Sequence, residues 1–469
     1  MTRLTEQRGN DRDRVPDRNP LGIAGRIAFT MNKLSLHSLK NHPPLVQRHS
    51  AFRLTCAPVI FFLFFLMQTV SLRAEEVSAS YQEKDLRPFP QARSFPREGV
   101  VPDAIPREQV NKSVRDFYSY WRAKYILPSV KVPGDYKIKY DRRGRTVSEA
   151  MGYGMMITAY MAGSDPKAKG FFDGLNSFRK RFPSKINPAF MCWQIPMDES
   201  PCRNDSATDG DLDIAFALLL AHGQWGDPRY LEEAKSLIHE IGTSLVRPDG
   251  SLKLGDWNEE EGQTRPSDFM PTHFRAFLEA TGDQRWKLVE TKSYAILNQL
   301  QNQFSPVAGL APDFSIEEKG QWIPAKPKFL EGLHDGEFNY NACRVPWRIG
   351  WAASTLEDPR AKALLTPFLA WVLSHAKNPE SLRSGFHLDG SDIKGNAFDS
   401  ACFIAPTGVA AAALGNQAWL NGVFNYCREK KEEYFEDTVS MLCLLVMSGN
   451  AWIPLERPSK PQSSTPPGN

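Results

Sequence analysis

Ser206-Ala-Thr-Asp-Gly-Asp-Leu-Asp-Ile-Ala-Phe-Ala-Leu-Leu-Leu-Ala-His-Gly-Gln-Trp225 decides how the rest of this 469-residue chain is read. Three carboxylates, Asp209, Asp211 and Asp213, stand at alternate positions and give way to an apolar run with the length and composition of a helix. Acidic residues in a first helical turn complement the macrodipole and cap free N–H groups, so one or two of the three need no further role. A calcium loop is excluded. An EF-hand requires Gly at its sixth position and Glu at its twelfth, and counting from Asp209 these are Ile214 and Leu220. What remains is a carboxylate-bearing start to a helix that is otherwise apolar and therefore buried.

Outward from this stretch one punctuation recurs: Gly163-Ser-Asp165-Pro, Gly226-Asp227-Pro, Gly282-Asp283-Gln, Glu357-Asp358-Pro and Gly415-Asn416-Gln. Each reads as a helix C-terminus followed by an Asp or Asn N-cap, with Pro at the first helical position in three of them. The caps are 62, 56, 75 and 58 residues apart, which suits pairs of helices joined tightly and separated from the next pair by a long loop. Periodic segments fall near 108–125, 149–162, 166–181, 211–223, 228–244, 268–280, 284–302, 345–355, 359–376, 399–413, 417–428 and 431–448. Five turns pair ten of these, and the first and last are left to pair with each other. The pattern predicts an all-α array of six hairpins. The loops at 183–208, 245–267, 303–344 and 377–398 are rich in Trp, Asp, Asn and Gly and would gather at one end.

The motif Ala-Thr-Asp-Gly-Asp followed by Ile-Ala resembles the signature of glycoside hydrolase family 8, and the resemblance extends over most of the chain after about residue 100. It implies a closed (α/α)6 barrel and places Asp209 in the active site. Ser148-Glu149-Ala-Met-Gly-Tyr153-Gly-Met is similar to the family's Ser-Glu-x-x-Gly-Tyr-Gly-Met motif, which implies that Glu149 is the general acid, with Ala150 for the usual Gly. Glycosidic cleavage needs such an acid and a second carboxylate for the water or the sugar carbon. Tyr340-Asn341-Ala-Cys-Arg344-Val-Pro-Trp-Arg348 resembles a third motif, but many cellulases of the family carry Asp where this chain has Asn341, and that Asp is their base. An amide cannot take a proton from water. The base is therefore expected from the preceding loop, Lys328-Phe-Leu-Glu331-Gly-Leu-His-Asp335-Gly-Glu337-Phe, as in the chitosanase and lichenase branch. Glu331 is the first choice there, pinned inward by Phe329 and Leu330, while Asp335 and Glu337 are expected to face solvent. Tyr153, Asp268, Tyr340, Asn341 and Arg344 are expected substrate contacts, with Asp209 suited to hold sugar hydroxyls. Among the loop tryptophans Trp193, Trp257 and Trp322, the first two are expected to stack on sugar rings, whose axial C–H groups are apolar. The expected activity is inverting endo-hydrolysis of a β-1,4-linked glucan or glucosamine polymer; the alternative is a glycan-binding protein on the same scaffold that has lost turnover.

The ends read differently. Residues 1–50 form a basic irregular leader, and 51–74 contain the dense apolar run Ala57 to Val70, too short for a membrane span of about 20 residues and suited to a secretory signal or an uncut signal anchor. The expected domain plan continues with an extended segment at 75–106, the catalytic domain at 107–453 and a Pro/Ser-rich tail at 454–469, and the expected location is secreted or periplasmic. Eleven basic residues against four acidic ones precede Glu75, so the net charge of +3 becomes about −4 on the remainder, which argues against nucleic acid as a partner. A polysaccharide is the expected partner and a monomer the expected state. Cys192 and Cys202 bracket a short polar loop and are compatible with a disulfide or with two free thiols; Cys343, Cys402, Cys427 and Cys443 lie in apolar segments and read as buried small hydrophobes. No Cys/His spacing reads as a metal site, and no cofactor is expected.

Overall fold

The structure, a computed structural model, describes residues 85–91, 99–202 and 204–454. The leader, the apolar run and the tail lie outside the described residues.

Twelve helices make up most of the described chain: α1 Arg107–Tyr125, α2 Ser148–Met161, α3 Ala168–Lys180, α4 Thr208–Trp225, α5 Pro228–Ser244, α6 Pro271–Thr281, α7 Arg285–Phe304, α8 Val345–Thr355, α9 Pro359–His375, α10 Ala401–Leu414, α11 Gln417–Glu429 and α12 Tyr434–Met447. The even-numbered helices pack side by side in the order α2, α4, α6, α8, α10, α12 and back to α2, closing an inner ring, and α1 packs on α12 as the sixth hairpin. The ring is the (α/α)6 barrel.

Burial separates the two layers. All eleven residues of α8 are buried, and α2 buries every residue except Glu149. The outer helices bury one stripe, as in α3 with Ala168, Phe172, Leu175, Phe178 and Arg179 at helical spacing. Three of the five expected caps form: the side chains of Asp227, Asp358 and Asn416 accept N–H from Arg229, Arg360 and Trp419. α3 and α7 start one or more residues later than expected, with Lys167 and Gln284 at their N-cap positions, so Asp165 and Asp283 accept the Lys167 and Arg285 N–H groups from the turns before them. Gly163, Gly226, Gly282 and Gly415 take positive φ between 72° and 86° before their caps, and at the one turn without glycine Glu357 takes φ 56° itself.

The long loops gather at the opposite end of the ring and carry short strands that periodicity did not reveal. β1 (Ile126–Pro128) pairs antiparallel with β2 (Tyr136–Ile138), β3 (Thr146–Val147) with β4 (Gln194–Ile195), and β5 (Gln263–Thr264) with β6 (Ser315–Glu318), which also pairs with β7 (Gln321–Pro324). Trp322 belongs to β7 and is buried, with Lys292 over its ring, so it is a packing residue. Cys192 and Cys202 are joined in a disulfide with Cα atoms 6.3 Å apart, and the other four cysteines among the described residues, Cys343, Cys402, Cys427 and Cys443, are free and buried.

At the tight-turn end residues 85–91 and 99–100, before α1, form a strap on the C-termini of inner helices. Leu86 and Phe89 donate to the carbonyls of Gln224 and Ala162, Gln91 N–H to Asn450, and Val100 N–H to the Ala412 carbonyl. Arg87 lies over the Trp452 ring and Phe89 is buried.

Candidate active site

The three carboxylates of the α4 start go to three places. A helix turns about 100° per residue, so Asp209 and Asp213 share a face and Asp211 points the other way. Asp211 accepts the Met191 N–H and holds the loop after α3; burial pushes its carboxyl well up. Asp213 lies inside the ring, fully buried, between Arg348 Nη2 (2.6 Å) and His273 Nε2 (2.8 Å). Burial pushes His273 down to about 4, so the imidazole is neutral; burial also pushes Asp213 up, but Arg348 and the His273 hydrogen bond together hold it below its ordinary value. Asp209 faces the loop end. None of the three serves only as a cap.

Two glycines bring α2 and α4 close enough for their first turns to meet. A Cβ on Gly152 would lie 2.7 Å from the Asp213 Cβ, and one on Gly210 would overlap Ser148. Glu149 and Asp209 thereby share one cation: Arg344 Nη1 donates to Glu149 Oε2 (2.6 Å), Asp209 Oδ2 (3.0 Å) and the Tyr153 hydroxyl (3.2 Å). Arg265 closes the cluster, donating from Nη2 to Asp209 Oδ1 (2.7 Å) and from Nε to Asp268 Oδ1 (2.8 Å). Both oxygens of Asp209 are thus engaged by arginines. Tyr153 and Asp268, expected as groove contacts, are buried in the floor beneath these arginines.

The charge balance of the cluster decides where a proton stays. Three carboxyls share two guanidiniums, and burying an unmatched third charge is expensive. Asp209 has both cations. Glu149, whose side chain is 18% exposed, has only part of one. Burial pushes its carboxyl up, Arg344 partly opposes this, Asp209 reinforces it, and the result is about 7; Asp268 is pushed up by burial to about 6. The first turns of the inner helices surround the cluster, so their positive dipole ends converge on this end of the ring.

Asn341 connects the cluster to the loop before it. Its Oδ1 accepts from Arg344 Nη2 (2.9 Å) and its Nδ2 donates to Glu331 Oε2 (2.9 Å). An arginine only donates and a carboxylate only accepts, so the two neighbours fix which way the amide points. Glu331 and Glu149 do not touch; an amide and a guanidinium stand between them. Of the residues expected to pin Glu331, Phe329 does so by packing on Phe314 at 5.8 Å, while Leu330 is 37% exposed. Asp335 and Glu337 do not face solvent as expected, because both hold backbone. Asp335 is buried and accepts the N–H groups of Leu330, Glu331 and Gly332 at 2.7, 3.0 and 2.7 Å, and Glu337 accepts from Leu388 N–H and meets His387 Nδ1.

The family model for glycosyl hydrolases family 8 matches residues 117–449. The chain belongs to that family. A β-glucanase of Niallia circulans is 39% identical over 380 residues, covering 78% of this family 8 chain and 91% of the relative. An endoglucanase of Bacillus sp. strain KSM-330 is 37% identical over 399 residues, 81% and 85% of the two chains. Among solved structures, the apo β-1,3-1,4-glucanase of Paenibacillus sp. X4 superposes with a TM-score of 0.76 at 38% identity, over 79% of this chain and all of that one. Rex8A of Paenibacillus barcinonensis, at 18% identity and TM-score 0.63 over 74% and 94%, shares the fold.

In this family 8 chain three of the aromatic residues expected to meet sugar lie in segments that neighbour the site in the chain or by backbone hydrogen bonds. Trp193 is half-buried, and its carbonyl accepts the Ser148 N–H beside Glu149. Trp257, also half-buried, follows Leu254, whose carbonyl accepts the Thr208 N–H beside Asp209. Tyr340 is 39% exposed, edge-on to Phe403 at 5.2 Å. Sequence reasoning missed Arg265, Ser267 (which accepts from Arg344 Nη2), Asp313 and the Asp213–Arg348–His273 cluster. The signal for Arg265 was present, three residues before an Asp in a Pro-containing turn; the others meet their partners only in three dimensions.

Proposed function

We propose that this family 8 enzyme is an inverting endo-β-glucanase in which Glu149 is the general acid and Glu331 the base. The observation that carries the assignment is the chain Glu149–Arg344–Asn341–Glu331, which spaces two carboxylates across one site without letting them meet. Inversion requires two carboxylates held apart, at about 6.5–9.5 Å, so that a water fits beside the sugar. Glu149 gives its proton to the glycosidic oxygen as the C1–O bond breaks. The water adds to C1 from the opposite face and Glu331 takes its proton, leaving an α-anomer. Asn341, the amide at the position where many cellulases carry their base, instead aims the carboxylate that replaces it. That arrangement supports turnover over the binding-only alternative.

Mixed-linkage β-glucan is the proposed substrate, supported by the names of the relatives above, with chitosan and soluble cellulose behind it. Export to an oxidising compartment is proposed from the apolar run at 57–70 and is supported by the Cys192–Cys202 disulfide. The test incubates the purified protein with mixed-linkage glucan, carboxymethylcellulose, chitosan and xylan, following new reducing ends and the first anomer by proton NMR. Turnover of the glucans with early α-product is expected, lost in Glu331→Ala and partly restored there by azide. An early β-product, or unchanged turnover in Glu331→Ala, sinks the assignment.

A further inference from the structure

Asp313 lies two residues before β6 and is buried, yet it forms no ion pair among the described residues. Its Oδ1 accepts three backbone N–H groups, from Asn339 (3.1 Å), Asn341 (3.0 Å) and Ala342 (2.6 Å). Its own N–H donates to the Glu337 carbonyl, and the next residue, Phe314, donates to the Asp335 carbonyl, both at 2.8 Å. Asp335 is the residue whose carboxylate gathers the N–H groups of Leu330, Glu331 and Gly332. Two buried carboxyls, tied together through adjacent backbone bonds, therefore hold the two segments whose side chains meet at the Asn341–Glu331 hydrogen bond.

We infer that Asp313 is a positioning residue for the base: its Oδ1 fixes the 339–342 turn, the turn sets the Asn341 amide, and the amide aims Glu331. The inference rests on the reading of Glu331 as base. Two of the three N–H groups flank the Asn341 Cα, so a shift of that oxygen moves the root of the amide side chain directly. Misplacement of a reacting group by about 1 Å costs about 10²-fold in rate. What Asp313 supplies is an oxygen at a fixed place and not a negative charge. Burial pushes its carboxyl up, the three N–H donors oppose this, the charge on Glu331 reinforces it, and the balance lies at about 8. The group is accordingly neutral through the acidic and neutral range, where the base must be ionised.

Two substitutions separate position from charge. Asp313→Asn keeps the accepting oxygen in place and removes the ionisable group; Asp313→Glu keeps the group and displaces the oxygen by about 1.5 Å, one C–C bond. The expected result is kcat within about threefold of the parent for Asp313→Asn and a fall of about 10–100-fold for Asp313→Glu, on the scale set by misplaced groups. KM should stay within about threefold in both variants, since no substrate contact is removed. Thermal unfolding of each variant confirms that the fold persists. A loss in Asp313→Asn as deep as that in Glu331→Ala overturns the inference, because the carboxylate itself would then be needed. Unchanged kcat in Asp313→Glu, or a change confined to KM, overturns it as well. Glu331→Ala, measured alongside, tests the underlying reading separately: full activity there removes the base assignment whatever the Asp313 variants do.

Discussion

Glu149 is the one residue of α2 that reaches solvent, and it does so from a cluster in which its proton is held against a nearby arginine. In the acid role proposed for it Glu149 must be protonated, and burial has pushed its carboxyl up to about 7, so kcat/KM should fall as pH rises through about 7. Glu149→Gln should leave the fold intact and lower kcat by about 10²–10⁴-fold, the usual contribution of acid catalysis; near-full activity on an unactivated glucan would remove it from the mechanism. Asn341→Asp tests the other limb. It sets a carboxylate against Glu331 where an N–H donor stood, and a like charge raises the pKa of the base. The base must be ionised, so the acid limb of the profile should move to higher pH. An unmoved limb would count against Glu331. At this scale the sequence was informative wherever a residue sits in a contiguous motif: Glu149, Asp209, Asn341, Arg344 and Glu331 all reach one site. It was silent on Asp313, whose side-chain partners begin 26 residues further along and are backbone groups that leave no mark on composition.

Helix ends were the most readable elements, because a cap is a local hydrogen bond between a side chain and the backbone two or three residues on. The turn at Glu357-Asp358-Pro359 shows what the pattern hides. Glu357 is exposed and adopts φ 56°, a left-handed conformation that costs a side-chain-bearing residue about 1–2 kcal/mol. Glu357→Gly should relieve that strain at some cost in unfolded-state entropy, for a net gain of about 1 kcal/mol. Urea denaturation with unchanged activity would show it, and a loss of stability would mean that the Glu side chain contributes more than its backbone costs. The strands were not legible, since two to four residues are too few to display a period of two, and Trp322 was misplaced for the same reason.

The array of six hairpins was predictable from counting, because ten paired segments left the first and last helices to pair with each other; its closure into a ring was what the family resemblance implied. The strap was not predictable. An extended segment with prolines has no periodicity, and its contacts lie up to 359 residues away. Deleting everything before Asp103 removes buried Phe89 and the backbone bonds to α2, α4 and α10, and should lower stability by about 2–3 kcal/mol. Turnover at moderate temperature should be unchanged, because the strap crosses the C-terminal ends of the inner helices while Glu149 and Asp209 stand at N-terminal ends. Equal stability of the shortened protein would show the strap to be dispensable. The same polarity gives the molecule a natural handle. In a chain shortened to begin at Asp85, a resin bead, a fused module or a solid support coupled at that residue joins the tight-turn end of the ring, so the opposite face stays open to a dissolved polymer. Coupling through Lys326 or Lys328, beside Glu331, would instead turn that face toward the support and block it.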